Sequence, residues 1–221
     1  MGETKVYFLV IEHIKSLVQQ GTLSFGGKLP SERQLMTTLG LSRNSIREAL
    51  RSLENMGIVE SRHGQGSYLV NHIADSLGGI FSLLVFMNEC SEQEIRELRR
   101  GIEIGACLAA VRQAPDRQLP ELLHCLELLK NCSPQERPAL DKRFHDTLIR
   151  ISGNRLLMLL SGTLSQLFEQ TIQDAQTHLC ASEWDDLLSC HAQLCDSLAA
   201  RNETACVDAV MRHYDLTDSK T

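Results

Sequence analysis

The chain has 221 residues, 43% of them apolar but only 5% aromatic, with a formal net charge of −6. That length and apolar content suffice for two modest cores, and no uninterrupted apolar run approaches the ~18 residues needed to span a bilayer. Charge is divided unevenly: residues 1–70 carry 8 Lys+Arg against 6 Asp+Glu and the remainder 14 against 22, so only the N-terminal part suits a phosphate-bearing partner.

The first twenty residues set Glu3, Glu12 and Lys15 within an amphipathic pattern, which is unlike a signal peptide, and a cytoplasmic location is expected. Pro30 biases Leu29 toward an extended backbone, so a helix can begin only after it. Ser31 with Gln34 three residues later forms a capping-box pattern, which predicts a helix over 32–39 ended by Gly40. Ser42 caps a second predicted helix that runs to Met56 and stops at Gly57. Ile46, Ala49, Leu50, Leu53 and Met56 follow helical spacing toward a core, whereas Arg43, Asn44, Arg47 and Arg51 fall on the other side. A major groove admits one α-helix, Arg reads guanine bidentately and Asn reads adenine. The alternative is a solvated basic face, against which stand two capped helices joined by a short glycine turn. Residues 58–62 and 67–70 read as strands around His63-Gly64-Gln65-Gly66, a hairpin whose tip is either a plain turn or a contact to phosphates and a minor-groove edge.

These residues resemble the winged helix of GntR-family transcription regulators, in which an LPSER-type segment precedes SR-x-x-[VI]-R-E-A-L and a G-x-G-[ST] wing. The resemblance covers residues 6–70. It implies DNA contacts by Arg33, Arg43, Asn44 and Arg47, and by His63 and Gly64 at the wing tip.

From Ile73 onward the pattern is helical with almost no strand signal. Helices are predicted over 74–88, 92–113, 117–130, 135–151, 155–180, 184–200 and 203–217, with Pro115, Pro120, Pro134, Pro138, Gly153-Asn154 and Asn202 at or near the breaks. The expected fold is therefore mainly α: a winged helix-turn-helix over residues 1–71 and an all-α antiparallel bundle over 72–221. Asn71-His72 reads as a short hinge through which the halves can transmit motion. All eight Cys lie beyond the reading head and none forms a CxxC pair, so reduced, core-packed thiols are the default and a zinc ribbon is unsupported.

Polar groups on apolar faces single out the bundle's chemistry. Asp141 and His145 stack on one helical face, His191 sits among Leu187, Leu188, Leu194 and Leu198, and His213 continues the stripe Cys206, Ala209, Val210. A lone buried His is ordinarily a satisfied core residue. Three imidazoles and one carboxylate on inward faces instead suit Zn, Ni, Mn or Fe(II), if those faces converge. Arg99 lies on the stripe of Ile95, Ile102 and Ala106; either an acidic effector or Glu103 one turn on would answer its charge.

Asp141-x-x-Phe144-His145, Ser152-Gly153-Asn154, His191 and His213 resemble the FCD effector domain of the FadR-type GntR branch, as does Glu97-Leu98-Arg99-Arg100-Gly101-Ile102-Glu103. That resemblance implies a divalent cation, Zn or Ni foremost, held by Asp141, His145, His191 and His213. The function expected is a ligand-responsive regulator, a repressor acting as a homodimer on a palindromic double-stranded operator. A small carboxylate, a hydroxy or keto acid, would complete the metal's coordination and engage Arg99. The alternatives are a regulator that senses the metal itself and, remotely, a metal-dependent hydrolase, for which no HExxH-like segment is found. The aminotransferase-like regulators with the same head need a far longer effector domain, which excludes pyridoxal phosphate.

Overall fold

The computed structural model describes residues 3–113, 118–167 and 180–218, which form two compact units, residues 1–80 and 81–221. In the first unit the order is α1 (Glu3–Gln19), α2 (Glu32–Leu39), α3 (Arg43–Asn55), β1 (Val59–Arg62) and β2 (Gly66–Leu69). α1 and α2 pack on α3 around Val10, Ile14, Leu35, Ile46, Ala49 and Leu53. Ser31 and Gln34 close the expected capping box, and Gly40, at φ 66°, ends α2 in the left-handed conformation. Ser42 caps α3 by accepting from the Ser45 backbone N–H.

Met56 departs from its expected place in the core. It is the C-cap of α3, 46% exposed, and its sulfur accepts the Tyr7 hydroxyl at 2.8 Å. The next residue, Gly57 at φ 70°, turns the chain back, so the apolar stripe of α3 stops at Leu53. A Cβ at Gly57 would lie 2.4 Å from the His72 carbonyl oxygen, which makes glycine obligatory twice over.

β1 and β2 pair antiparallel in the register Val59↔Leu69 to Arg62↔Gly66. Residues 26–29 also run along β2, with Leu29 N–H donating to the Ser67 carbonyl and Leu69 N–H to that of Gly27, a pairing that local sequence did not suggest. α4 (Ile73–Phe86) follows, its first turn tied to the head by the Ser76 hydroxyl donating to the Asn55 carbonyl.

The second unit is the expected helical bundle: α5 (Glu92–Arg112), α6 (Leu119–Lys130), α7 (Arg137–Ile151), α8 (Arg155–Leu167), α9 (Ala181–Ala199) and α10 (Glu203–Asp218). Pro120 and Pro138 sit in the first turns of α6 and α7, where a missing N–H costs nothing. The Asn154 side chain accepts from the Leu156 and Leu157 N–H groups and starts α8. Of the helix expected over 155–180, residues 168–179 lie outside the described residues, and Cys180 is the N-cap of α9 rather than helix interior. α5 packs against α7, α8 and α10, and α9 against α10 and α6. Cys107, Leu122, Phe144, Leu148, Leu187 and Leu198 lie at the centre of this core. No helix among the described residues is long and apolar enough to cross a membrane.

Candidate metal centre and nucleic-acid interface

In the head, the burial of Ile46, Ala49 and Leu50 forces the opposite side of α3 outward. Arg43, Asn44 and Arg47 are exposed there, as are Arg33 on α2 and His63 and Gly64 at the hairpin tip. Glu32, half-buried at the start of α2, lies between two of these cations: its carboxylate is 3.5 Å from Arg43 Nε and 3.7 Å from Arg47 Nε. Sequence reading passed over Glu32 because its partners come from the next helix. Arg51, the fourth cation of the face, is 2.8 Å from Glu48.

In the bundle, three helices deliver four groups to one point. Asp141 and His145 come from α7, His191 from α9 and His213 from α10, and one ligand atom of each lies within 4.8 Å of all the others. His145 Nε2 is 3.1 Å from His213 Nε2 and 3.3 Å from His191 Nε2. Asp141 Oδ1 lies 3.1 Å from His191 Nε2 and 3.6 Å from His145 Nε2. Nitrogens held about 2.0–2.1 Å from one tetrahedral ion would stand roughly 3.3 Å apart, so these spacings fit a single cation.

The alternative of satisfied core histidines fits poorly. The Nδ1 atoms of His191 and His213 are buried with no hydrogen-bond partner among the described residues, while their Nε2 atoms face other imidazoles. Burial holds the His191 pKa down to about 4, which keeps the ring neutral, the form that binds metal. His145 behaves oppositely. Burial works against its charge, but the carboxylates of Glu103 and Asp141 outweigh that and push its pKa up to about 10. Asp141 is likewise buried, and the His145 charge with the surrounding imidazole hydrogen bonds holds its carboxyl well below the usual range. A divalent cation held here would take the place of the His145 proton.

Glu103, 2% exposed on α5, was weighed in the sequence only as an answer to Arg99. Its carboxylate instead accepts from His145 Nδ1 and from the Tyr214 hydroxyl at 2.8 Å. The signal was present: a carboxylate among the buried positions Ile95, Ile102 and Ala106. Arg99 is half-buried and lines a cavity of about 170 Å³ beside the cluster, together with Asp141, His145, Tyr214, Ser161 and Ser165. The two serines stand one turn apart on α8, a pair that sequence reading did not find.

A winged helix-turn-helix with an outward cationic recognition helix, followed by a helical bundle with an internal polar pocket, defines a DNA-binding regulator with a ligand domain. Comparison with known proteins agrees. The profile of "Bacterial regulatory proteins, gntR family" matches residues 7–69 and that of the "FCD domain" matches residues 94–216. The HTH-type transcriptional regulator YcbG of Bacillus subtilis (strain 168) is 29% identical over 94% of this chain and 83% of its own length. A protein of Escherichia coli (strain K12), named for the L-lactate dehydrogenase operon it is held to regulate, is 27% identical over 92% of this chain and 81% of its own. The solved structure of Streptococcus agalactiae GntR has the same fold, with a TM-score of 0.73 at 24% identity, covering 98% of this chain and 100% of that one. The chain belongs to the GntR family, in the FadR-type branch that carries an FCD domain, and is a transcription regulator rather than an enzyme.

Proposed function

We propose that this regulator binds a divalent metal, Zn or Ni, in its FCD domain and reads a small carboxylate effector through that metal and Arg99. The observation that carries the reading is the convergence of one ligand atom each from Asp141, His145, His191 and His213 beside a cavity of about 170 Å³. Those four side chains would hold the ion, which when bound supplies a Lewis-acidic anchor for the effector's oxygens. Arg99 would take a carboxylate oxygen by a charge-assisted hydrogen bond. Ser161 and Ser165 line the same space and suit a hydroxyl or keto oxygen. The cavity volume favours an acid of a few carbons, in keeping with a relative named for an enzyme of a hydroxy acid.

On the DNA side, Arg43, Asn44 and Arg47 would read base edges in the major groove, while Arg33, His63 and Gly64 contact backbone and minor-groove edge. One recognition helix reads few base pairs, so two copies on a palindrome supply the discrimination a regulator needs. The apolar side chains of Leu83, Phe86 and Met87, exposed by 54%, 82% and 56%, support a second copy as the partner. The protein would act in the cytoplasm as a repressor, with residues 1–71 reading DNA and residues 72–221 binding effector and partner. Acid binding would favour one of two bundle packings by the ~1–3 kcal/mol of ordinary allosteric coupling and so release the operator.

Native mass spectrometry with elemental analysis tests this directly, followed by titration of a duplex selected from a random pool. A dimer carrying one metal per chain, whose DNA affinity falls only when a hydroxy or keto acid is added, is the expected result. A metal-free dimer that still responds to the acid overturns the metal reading. A full response to metal alone replaces the acid by the metal as the signal.

A further inference from the structure

We propose that Glu103 is the positioning residue of the candidate metal centre, fixing the tautomer and tilt of His145. The inference rests on the metal reading above and assigns a role to a side chain on α5, a helix that contributes none of the four ligand groups.

An ionised carboxylate can only accept hydrogen bonds. Because Glu103 bonds His145 at Nδ1, that nitrogen carries the proton, and the neutral ring's lone pair is left at Nε2, the atom facing His191 and His213. The other two rings lack this device among the described residues, since the Nδ1 atoms of His191 and His213 have no partner there. Packing orients His191, whose ring meets the Phe144 edge at 4.5 Å between centroids. His145 is therefore the ring whose chemistry, and not just its place, is set by a neighbour.

The second oxygen of Glu103 accepts the Tyr214 hydroxyl at 2.8 Å. Tyr214 adjoins His213, so one carboxylate on α5 holds both the helix bearing His145 and the helix bearing His213. A buried carboxylate needs such partners whatever its purpose. The competing explanation is that Glu103 merely staples three helices together. The two accounts differ in what Tyr214 does: stapling requires it, whereas the tautomer of His145 requires only the bond to Nδ1.

The test measures Co²⁺ affinity of the full-length chain, the visible spectrum of bound Co²⁺, and the imidazole ¹⁵N resonances of His145 in the Zn²⁺-loaded protein. Glu103→Gln should weaken Co²⁺ about 10- to 100-fold, the usual cost of losing an outer partner, and leave the metal-bound His145 a mixture of Nδ1- and Nε2-bound rings. Glu103→Asp, which keeps the charge but withdraws the acceptor, should weaken it in the same direction, so a Gln variant that fails to fold leaves the test standing. Tyr214→Phe should stay within about threefold of the native protein and keep the Nδ1-protonated signal. Native Co²⁺ uptake with unchanged affinity and spectrum in both Glu103 variants overturns this inference alone. An equal loss in Tyr214→Phe also overturns it, in favour of stapling. A native chain that takes up no Co²⁺ sinks the metal reading and this inference with it.

Discussion

The two units keep their charges in opposite ways. In the head, the cations Arg33, Arg43 and Arg47 stand in water and the carboxylate beside two of them is half-buried. Such pairs are weak and exchangeable, so phosphate or base edges can replace Glu32 at little expense. In the bundle, Glu103, Asp141, His191 and His213 are all buried, where an uncompensated charge is costly. The head is thus suited to trading partners on a surface, and the bundle, on the proposed function, to admitting one ion and one small ligand into its interior. A regulator needs both, because DNA must be released as a whole while the signal must be recognised atom by atom.

The sharpest way to break this comparison is His191→Ala. Removing one of four donors should weaken metal binding by more than the ~100-fold upper cost of losing an outer-shell partner, and abolish the acid response. Selectivity for the operator should survive, as judged by anisotropy on operator and scrambled duplexes; stoichiometric metal in the variant would refute the ligand assignment. Next in size, Arg43→Ala and Arg47→Ala should each cost about 1–3 kcal/mol of base discrimination. Both positions are exposed, so melting should be unchanged, and an unaltered sequence preference in the double variant would refute the reading face. Arg99→Leu should remove about 1.5–3 kcal/mol of effector affinity, the range for a hydrogen bond to a charged group. Its metal content, measured by elemental analysis, should not change.

A smaller effect follows from pH. His145 has its pKa raised from 6.5 to about 10, so its stabilisation of the metal-free bundle is complete below about 6.5 and disappears as pH rises through 10. His191, lowered from 6.5 to about 4, acts on the other flank: stability is lost as pH falls from 6.5 through 4. The urea midpoint of metal-free protein should therefore decline on both sides of about pH 6.5, and the alkaline decline should shrink in Glu103→Gln, whose His145 keeps only the Asp141 carboxylate as a charged partner. The smallest change is expected from Glu32→Gln. Releasing Arg43 and Arg47 should strengthen non-specific DNA binding by less than ~1 kcal/mol, the range of exposed ion pairs, read as a slight rise in affinity for scrambled duplex.

Much of the head was legible because its determinants are local. Ser31, Gln34, Gly40 and Ser42 act within one turn of themselves, and their caps are present as the spacing implied. Met56 was misread because a helical stripe was extended one step past the point where Gly57 reverses the chain. The run of residues 26–29 beside β2 escaped notice for a different reason: an edge pairing depends on where a distant hairpin lies, not on the residues that join it. In the bundle, the helix starts expected at 117, 135 and 155 fall within two residues of the observed Leu119, Arg137 and Arg155, whereas Glu103 could not be given its partners.

By itself the amino-acid order determined which segments coil, where they stop, and which side of each carries charge, since those outcomes follow from capping, glycine and proline stereochemistry and a 3.6-residue period. Only the tertiary structure decided that the inward faces of α7, α9 and α10 meet, that α5 brings Glu103 against His145, and that Glu32 reaches across to the recognition helix. Helical periodicity tells which side of a cylinder is buried but not against what. Convergence depends on how several cylinders pack, and packing is a property of the whole core.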